Sequence, residues 1–141
     1  MTIPPVTSPL PGVRRQVFAF AYELITTITI LFSSGFFVVA LIGETEATSS
    51  KIITNSVPLL TVSLYYALCW RKTGQSLAQK AWGLKVIDKN GNLLSFSKSI
   101  KRVLLSGALN IMGLSLMFLL FSKTRQPLQD QILGTLVTSS R

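Results

Sequence analysis

The chain has 141 residues, the size of one domain. Hydrophobic residues make up 48% and charged residues 13%, where a soluble domain carries about 25% charged residues. The net charge is +9, and there is no His and one Cys, Cys69. This excludes a His-based triad, a Cys/His zinc site, a CxxC redox pair and a disulfide framework within one chain.

The leader MTIPPVTSPLPG is proline-rich and predicts a flexible tail over residues 1–13. Residues 17–42 follow, VFAFAYELITTITILFSSGFFVVALI, with one charge, Glu23. A bilayer core about 30 Å thick takes roughly 20 apolar residues of helix, so this run predicts a full span. A cleaved signal peptide fits poorly: the stretch is too long, Glu23 interrupts it, and no small-x-small site follows. Residues 43–51, GETEATSSK, hold two acids and one Lys. Residues 52–70, IITNSVPLLTVSLYYALCW, are uncharged and predict a second span, with Asn55 and Pro58 as a kink signal.

Residues 71–102 carry eight bases and one acid, Asp88. The positive-inside rule then puts this loop and the N-terminus in the cytoplasm and the acidic link 43–51 outside. Within the loop, Gly74–Gly83 (GQSLAQKAWG) has Leu77, Ala78, Ala81 and Trp82 at helical spacing, with Gln75, Gln79 and Lys80 opposite. That pattern predicts a short interfacial helix with Trp82 at headgroup depth. Asn90-Gly91 between two β-capable runs predicts a hairpin over 84–95, because a type I′ turn needs positive φ at both positions. Ser97 is the expected cap of the next helix.

The third apolar run, 103–121, is also uncharged, but it contains Gly107, Asn110 and Gly113. A straight crossing would export the tail 122–141 with Lys123, Arg125 and Arg141. A broken, re-entrant segment would keep the tail inside, and the charge rule favours that. The piece Gly134–Thr138 is β-prone and is then free to add a strand to the loop hairpin, covering its edge.

Three blocks carry a family resemblance: RRQVFAFAYELI at Arg14–Ile25, TGQSLAQKAWGLKVIDKNG at Thr73–Gly91 and QPLQDQILGT at Gln126–Thr135. In this order the chain resembles the RDD family of small bacterial membrane proteins, named for one Arg and two Asp. The resemblance aligns the family's first Asp with Glu23 and the Arg seven residues before it with Gln16, next to Arg15. In the closing block the family's His and Arg become Gln129 and Gln131, while Asp130, Gly134 and Thr135 remain. The resemblance implies a membrane fold and transport, without the titrating His.

Glu23 is the sharpest single residue. It lies eight residues from Arg15, about 12 Å along a helix. An acid there is a proton or cation site, paired with Arg15 or with a base of the loop, or it is an interface acid holding two helices together. Asp88 is a turn residue or a partner of Lys80, Lys85 or Arg102. Asp130 caps a helix end or pairs with the long loop. Thr26, Thr27, Thr29, Ser33, Ser34 and Gly35 read as packing residues rather than the lining of a hydrated path, and Asn110 as one seeking an interhelical partner. Gln75, Lys80, Trp82, Asp88, Asp130 and Gly134 belong to the resembling blocks.

Arg71, Lys72, Lys98, Lys101 and Arg102 suit anionic lipid headgroups rather than nucleic acid. No metal spacing, phosphate cradle or cofactor motif is present. The expectation is an all-α membrane protein of the bacterial inner membrane. It has two full spans, a third short or broken one, a small cytoplasmic β-hairpin and interfacial helices. Two functions fit: a homo-oligomer moving a cation or small solute, with no enzymatic chemistry, or an accessory subunit of a larger membrane complex.

Overall fold

The computed structural model describes residues 10–43, 47–121, 123 and 126–140. Residues 1–9 of the leader, Glu44 and Glu46 of the acidic link, Arg125 and Arg141 lie outside the described residues, and so do the readings made for them.

Helix α1 (Val13–Ile42) and helix α2 (Thr48–Lys72) are both long and apolar enough to cross a membrane. They run antiparallel: the Thr27 and Tyr66 hydroxyls are 2.9 Å apart, and Gly35 lies against the Pro58 ring. Phe32, Phe36, Phe37 and Leu41 on α1 and Leu60 on α2 are exposed, as helices facing lipid require. The hydroxyls of Thr26, Thr29, Ser34, Thr61 and Ser63 each donate to a carbonyl four residues back. They are satisfied within their own helices.

Gly74 turns the chain out of α2 with φ +72. Helix α3 (Leu77–Ala81) follows, held by a capping box between Ser76 and Gln79. Its buried side is Ala78 and Gln79, whereas Leu77 is exposed. The apolar face expected at Leu77 is therefore rotated, because Gln79 turns inward to accept two hydrogen bonds.

Strand β1 (Leu84–Asp88) runs into a turn at the expected place but of another kind: the Gly91 N–H donates to the Asp88 carbonyl at 2.9 Å, so Lys89 and Asn90 are its central residues and Gly91 (φ +80) follows them. Beyond one further bond, from the Asp88 N–H to the Asn92 carbonyl, residues 92–95 form no strand. The ladder partner of β1 is instead β2 (Thr135–Ser139), antiparallel, with Leu84 opposite Ser139 and Asp88 opposite Thr135. The β-prone tail thus takes the whole pairing, where the sequence suggested a strand added to a local hairpin.

Ser95, rather than Ser97, caps helix α4 (Phe96–Ile111), its hydroxyl accepting from the Lys98 N–H. The third apolar run breaks at Gly113 (φ +68), and helix α5 (Leu114–Phe121) leaves α4 at 86°. Helix α6 (Leu128–Leu133) ends on Gly134 (φ 65), which turns the chain into β2. The β1–β2 ladder fastens this C-terminal strand to the segment that follows α2. Both ends of the broken run therefore return to the same end of the α1–α2 pair. There the small core gathers: Ala19, Tyr66, Trp70, Leu84, Val86, Leu94 and Val137.

Candidate functional site

The polar residues converge where the helix pair meets the sheet. Glu23 lies two turns beyond Arg15 on α1, and its Oε1 accepts a hydrogen bond from the Ser76 hydroxyl at 2.7 Å. Ser76 in turn accepts from the Gln79 N–H at 3.2 Å and donates its own N–H to Gln79 Oε1 at 3.0 Å. The same Gln79 oxygen accepts from the Trp70 indole at 3.1 Å. The Arg102 guanidinium lies over the Trp70 ring, 4.1 Å from its centroid. Arg102 also holds Asp130 with two bonds, Nε to Oδ1 at 2.8 Å and an Nη to Oδ2 at 2.9 Å. The Thr135 hydroxyl donates to Asp130 as well.

One continuous relay of contacts thus runs from α1 through α3, α2 and α4 to α6 and β2. Arg102 is 3% exposed and Asp130 is 0% exposed. Burying this pair is tolerable only because the geometry is bidentate and the remaining oxygen capacity is filled.

Beside this relay is a cavity of about 560 Å³ between α1, α2, α4 and α5. Glu23 and Arg102 are the charged residues that line it. Thr27, Tyr66, Ser106 and Asn110 add hydroxyl and amide groups, and Leu31, Leu59, Ile111 and Leu116 make its far end apolar. The Ser106 hydroxyl and the Asn110 side-chain oxygen are buried without a hydrogen-bond partner among the described residues. The RDD family model matches residues 10–134. The chain belongs to the RDD family. No curated protein and no solved structure matches it.

The RDD blocks resolve into distinct jobs. Arg15 does not reach Glu23; its guanidinium donates to the Trp82 carbonyl at 2.8 Å and to the Ser139 hydroxyl at 3.4 Å. It therefore ties the start of α1 to the turn before β1 and to the end of β2. Gln16 is buried, and its amide donates to the Pro11 carbonyl. Gln75 donates to the Leu84 carbonyl at 2.7 Å and to the Ser140 hydroxyl at 3.0 Å, bracing the sheet. Lys80 is exposed. Trp82 stacks on Phe18 with ring centroids 5.1 Å apart. Gly134 sits where a side chain would meet Lys89, 2.6 Å from its Cε.

Asp88 pairs with Lys98, Nζ to Oδ1 at 2.8 Å, and not with Lys80, Lys85 or Arg102. The Lys98 hydrogen bond holds its carboxyl below the usual carboxylate range. Of the five bases assigned to headgroups, Arg71, Lys72 and Lys101 are exposed, and Arg71 lies against the Phe96 ring at 5.6 Å. Lys98 is half-exposed and paired. Arg102 differs from the expectation outright: it is buried in the relay and faces no headgroup.

Ser76, Gln79, Trp70 and Gln126 escaped the sequence reading as site residues. Gln126 bonds both ways to Val137, its amide donating to the carbonyl at 3.0 Å and its oxygen accepting the N–H at 2.9 Å. It thereby covers the free edge of β2. Gln129 accepts from Ser115 at 2.6 Å, which locks α6 against α5. The Ser76–Gln79 capping box was the one local signal available for any of them. Among the described residues no group of His, Cys, Asp and Glu is placed to hold a metal ion.

Proposed function

We propose that this RDD protein is a small membrane carrier in which Glu23 is the polar site for a cation or small solute. The observation that carries the reading is the cavity: about 560 Å³ of space between helices of membrane-spanning length, with a carboxyl group on its wall. Ligand sites are typically concave, largely apolar and furnished with a few convergent polar groups. An acid within a membrane helix pair is a functional site by default. Arg102 is matched by Asp130, so among the described residues Glu23 is the charge on the cavity wall without a counter-ion bonded to it.

The role is non-enzymatic in this reading, because the cavity groups offer hydrogen-bond acceptors and one paired guanidinium but no activated nucleophile. The bases at the loop end, among them Arg14, Arg71, Lys72, Lys89 and Lys101, support a cytoplasmic N-terminus, loop and tail in a bacterial inner membrane. Two spans and a re-entrant pair are too few to enclose a path alone, so the carrier acts as a homo-oligomer.

The test is monovalent-cation flux in proteoliposomes containing the purified chain, alone and with Glu23→Gln. The account predicts flux that Glu23→Gln abolishes while the variant still migrates as the native particle. Flux unaffected by Glu23→Gln would refute it. A second reading, an accessory subunit, draws on the relay: Ser76, Gln79, Trp70, Arg102 and Asp130 satisfy one another as a frame would. Stoichiometric extraction of a larger complex through a tag would favour it over the carrier.

A further inference from the structure

The cavity is graded along its length. Gln16, Glu23, Gln79 and Arg102 stand at its loop end, and Leu31 and Leu59 at its far end. From Glu23 to Leu31 is eight residues of continuous helix, about 12 Å at 1.5 Å per residue. That is the reach of a medium-length alkyl chain, too long for a hydrated ion alone. Glu23 gives one oxygen to Ser76, and its other oxygen takes no bond from the described residues. The Ser106 hydroxyl and the Asn110 carbonyl oxygen, one and two turns beyond Arg102, are buried and unpartnered. A hydroxyl and an amide so placed can hydrogen-bond a ligand farther along the cavity than Glu23. Arg102, the cation on the wall, is already matched by Asp130 and stacked on Trp70.

From these observations we infer that the cavity binds an amphiphilic amine: an ammonium head held by Glu23, and one alkyl chain along Leu31 and Leu59. This rests on the carrier reading of Glu23 and names the substrate class of that site. An ammonium brings a positive charge and hydrogen-bond donors to the Glu23 carboxylate, while Arg102 is already matched by Asp130. The chain takes the apolar half that an inorganic ion would leave empty.

Trp70 lines the cavity and reports on it directly. The chain has two Trp, so Trp82→Phe leaves Trp70 as the single fluorophore and keeps an aromatic partner for Phe18. This variant, in lipid nanodiscs, is titrated with bromine-tagged decylamine, with the alcohol and sulfate of the same chain, and with butylamine. The expected result is saturable quenching by decylamine, weaker binding of the alcohol, sulfate and butylamine, and a loss of about tenfold or more with Glu23→Gln, the size of one charge-assisted hydrogen bond. A second variant, Leu31→Trp read by competition with unlabelled decylamine against the bromine-tagged probe, fills the far end and lowers decylamine affinity without changing butylamine. Equal quenching by all heads would overturn the inference and mark the cavity as a place where bulk lipid sits. Quenching that ignores Glu23→Gln would overturn it too. If inorganic-cation flux depends on Glu23 while decylamine shows no preference, the carrier stands and the amine falls. If decylamine binds through Glu23 but no flux occurs, the site stands and the carrier falls.

Discussion

Removing one partner of the Arg102–Asp130 pair should be the most damaging single change in the molecule. In Asp130→Ala the guanidinium loses both bonds, at 2.8 and 2.9 Å, and stays 3% exposed beneath the Trp70 ring. Breaking a buried ion pair from one side typically costs about 3–5 kcal/mol, because a charge is left without a counter-charge. The Thr135 hydroxyl also loses its acceptor, which adds about 1 kcal/mol. The folded-to-unfolded ratio should therefore fall by about a thousandfold or more. Arg102→Met should cost a similar amount, since it strands the Asp130 carboxylate at 0% exposure. The double change Arg102→Met with Asp130→Ala removes both charges and should cost less than the sum of the two single changes by more than about 3 kcal/mol. The assay is denaturant or thermal unfolding in mild detergent, followed by Trp fluorescence, for the four members of the cycle. Additive single costs, or a cost under about 1 kcal/mol for Asp130→Ala, would refute the argument that this pair is the structural joint of α4, α6 and β2.

Three further changes test neighbouring claims. Gly74→Ala forces a side chain into φ +72 with its Cβ 2.8 Å from the Val86 carbonyl oxygen, and should cost more than the roughly 1–3 kcal/mol of a left-handed residue alone; a neutral result in the same unfolding assay would show that the α2–β1 corner is not packed as described. Ser76→Ala removes both the helix cap and the Glu23 bond, and should cost about 1–2 kcal/mol, while Ser76→Thr, which keeps the hydroxyl, should lose less. Asp88, whose carboxyl is lowered by Lys98, should stabilise the fold at pH values above its unfolded-state pKa and lose that contribution as pH falls through the folded value; because the pair is partly exposed, the effect is under about 1 kcal/mol and should vanish in Asp88→Asn or Lys98→Met, which a comparison of unfolding at neutral and acid pH measures.

The spans were legible because the signal is local: an uncharged or singly charged run of sufficient length says that lipid is its solvent. The break was legible for the same kind of reason. Gly107, Asn110 and Gly113 all flagged it, but only Gly113 takes positive φ, while the other two continue within α4. A turn formed at Asn90-Gly91, but centred on Lys89-Asn90 with Gly91 after it, and its second strand did not form, since β2 outcompetes a four-residue local partner with a five-residue ladder. Long-range choices of this kind leave little local trace. Arg102 looks like one base among eight in its loop, and nothing nearby says that it alone is drawn inward to meet a carboxylate 28 residues later. Glu23 was visible as an oddity, but its partner was not: Ser76 is an unremarkable hydroxyl 53 residues away. Arg15, the residue two turns from Glu23 by sequence, turns instead toward the Trp82 carbonyl.

The central structural claim is that the C-terminal strand returns to the loop and pairs with β1, which places the relay and the mouth of the cavity at one end of the helix pair. In the ladder Lys85 lies opposite Thr138. Residues opposite each other in antiparallel strands have Cα atoms about 4.5–5.5 Å apart, within disulfide reach. Lys85→Cys with Thr138→Cys, in a Cys69→Ser background and in native membranes, should therefore close an intramolecular disulfide under mild oxidation. Lys85→Cys with Leu136→Cys, out of register, should not. Failure of the first pair to close, with the two cysteines reacting with an impermeant maleimide from opposite sides of the membrane, would contradict the re-entrant fold and the site built on it.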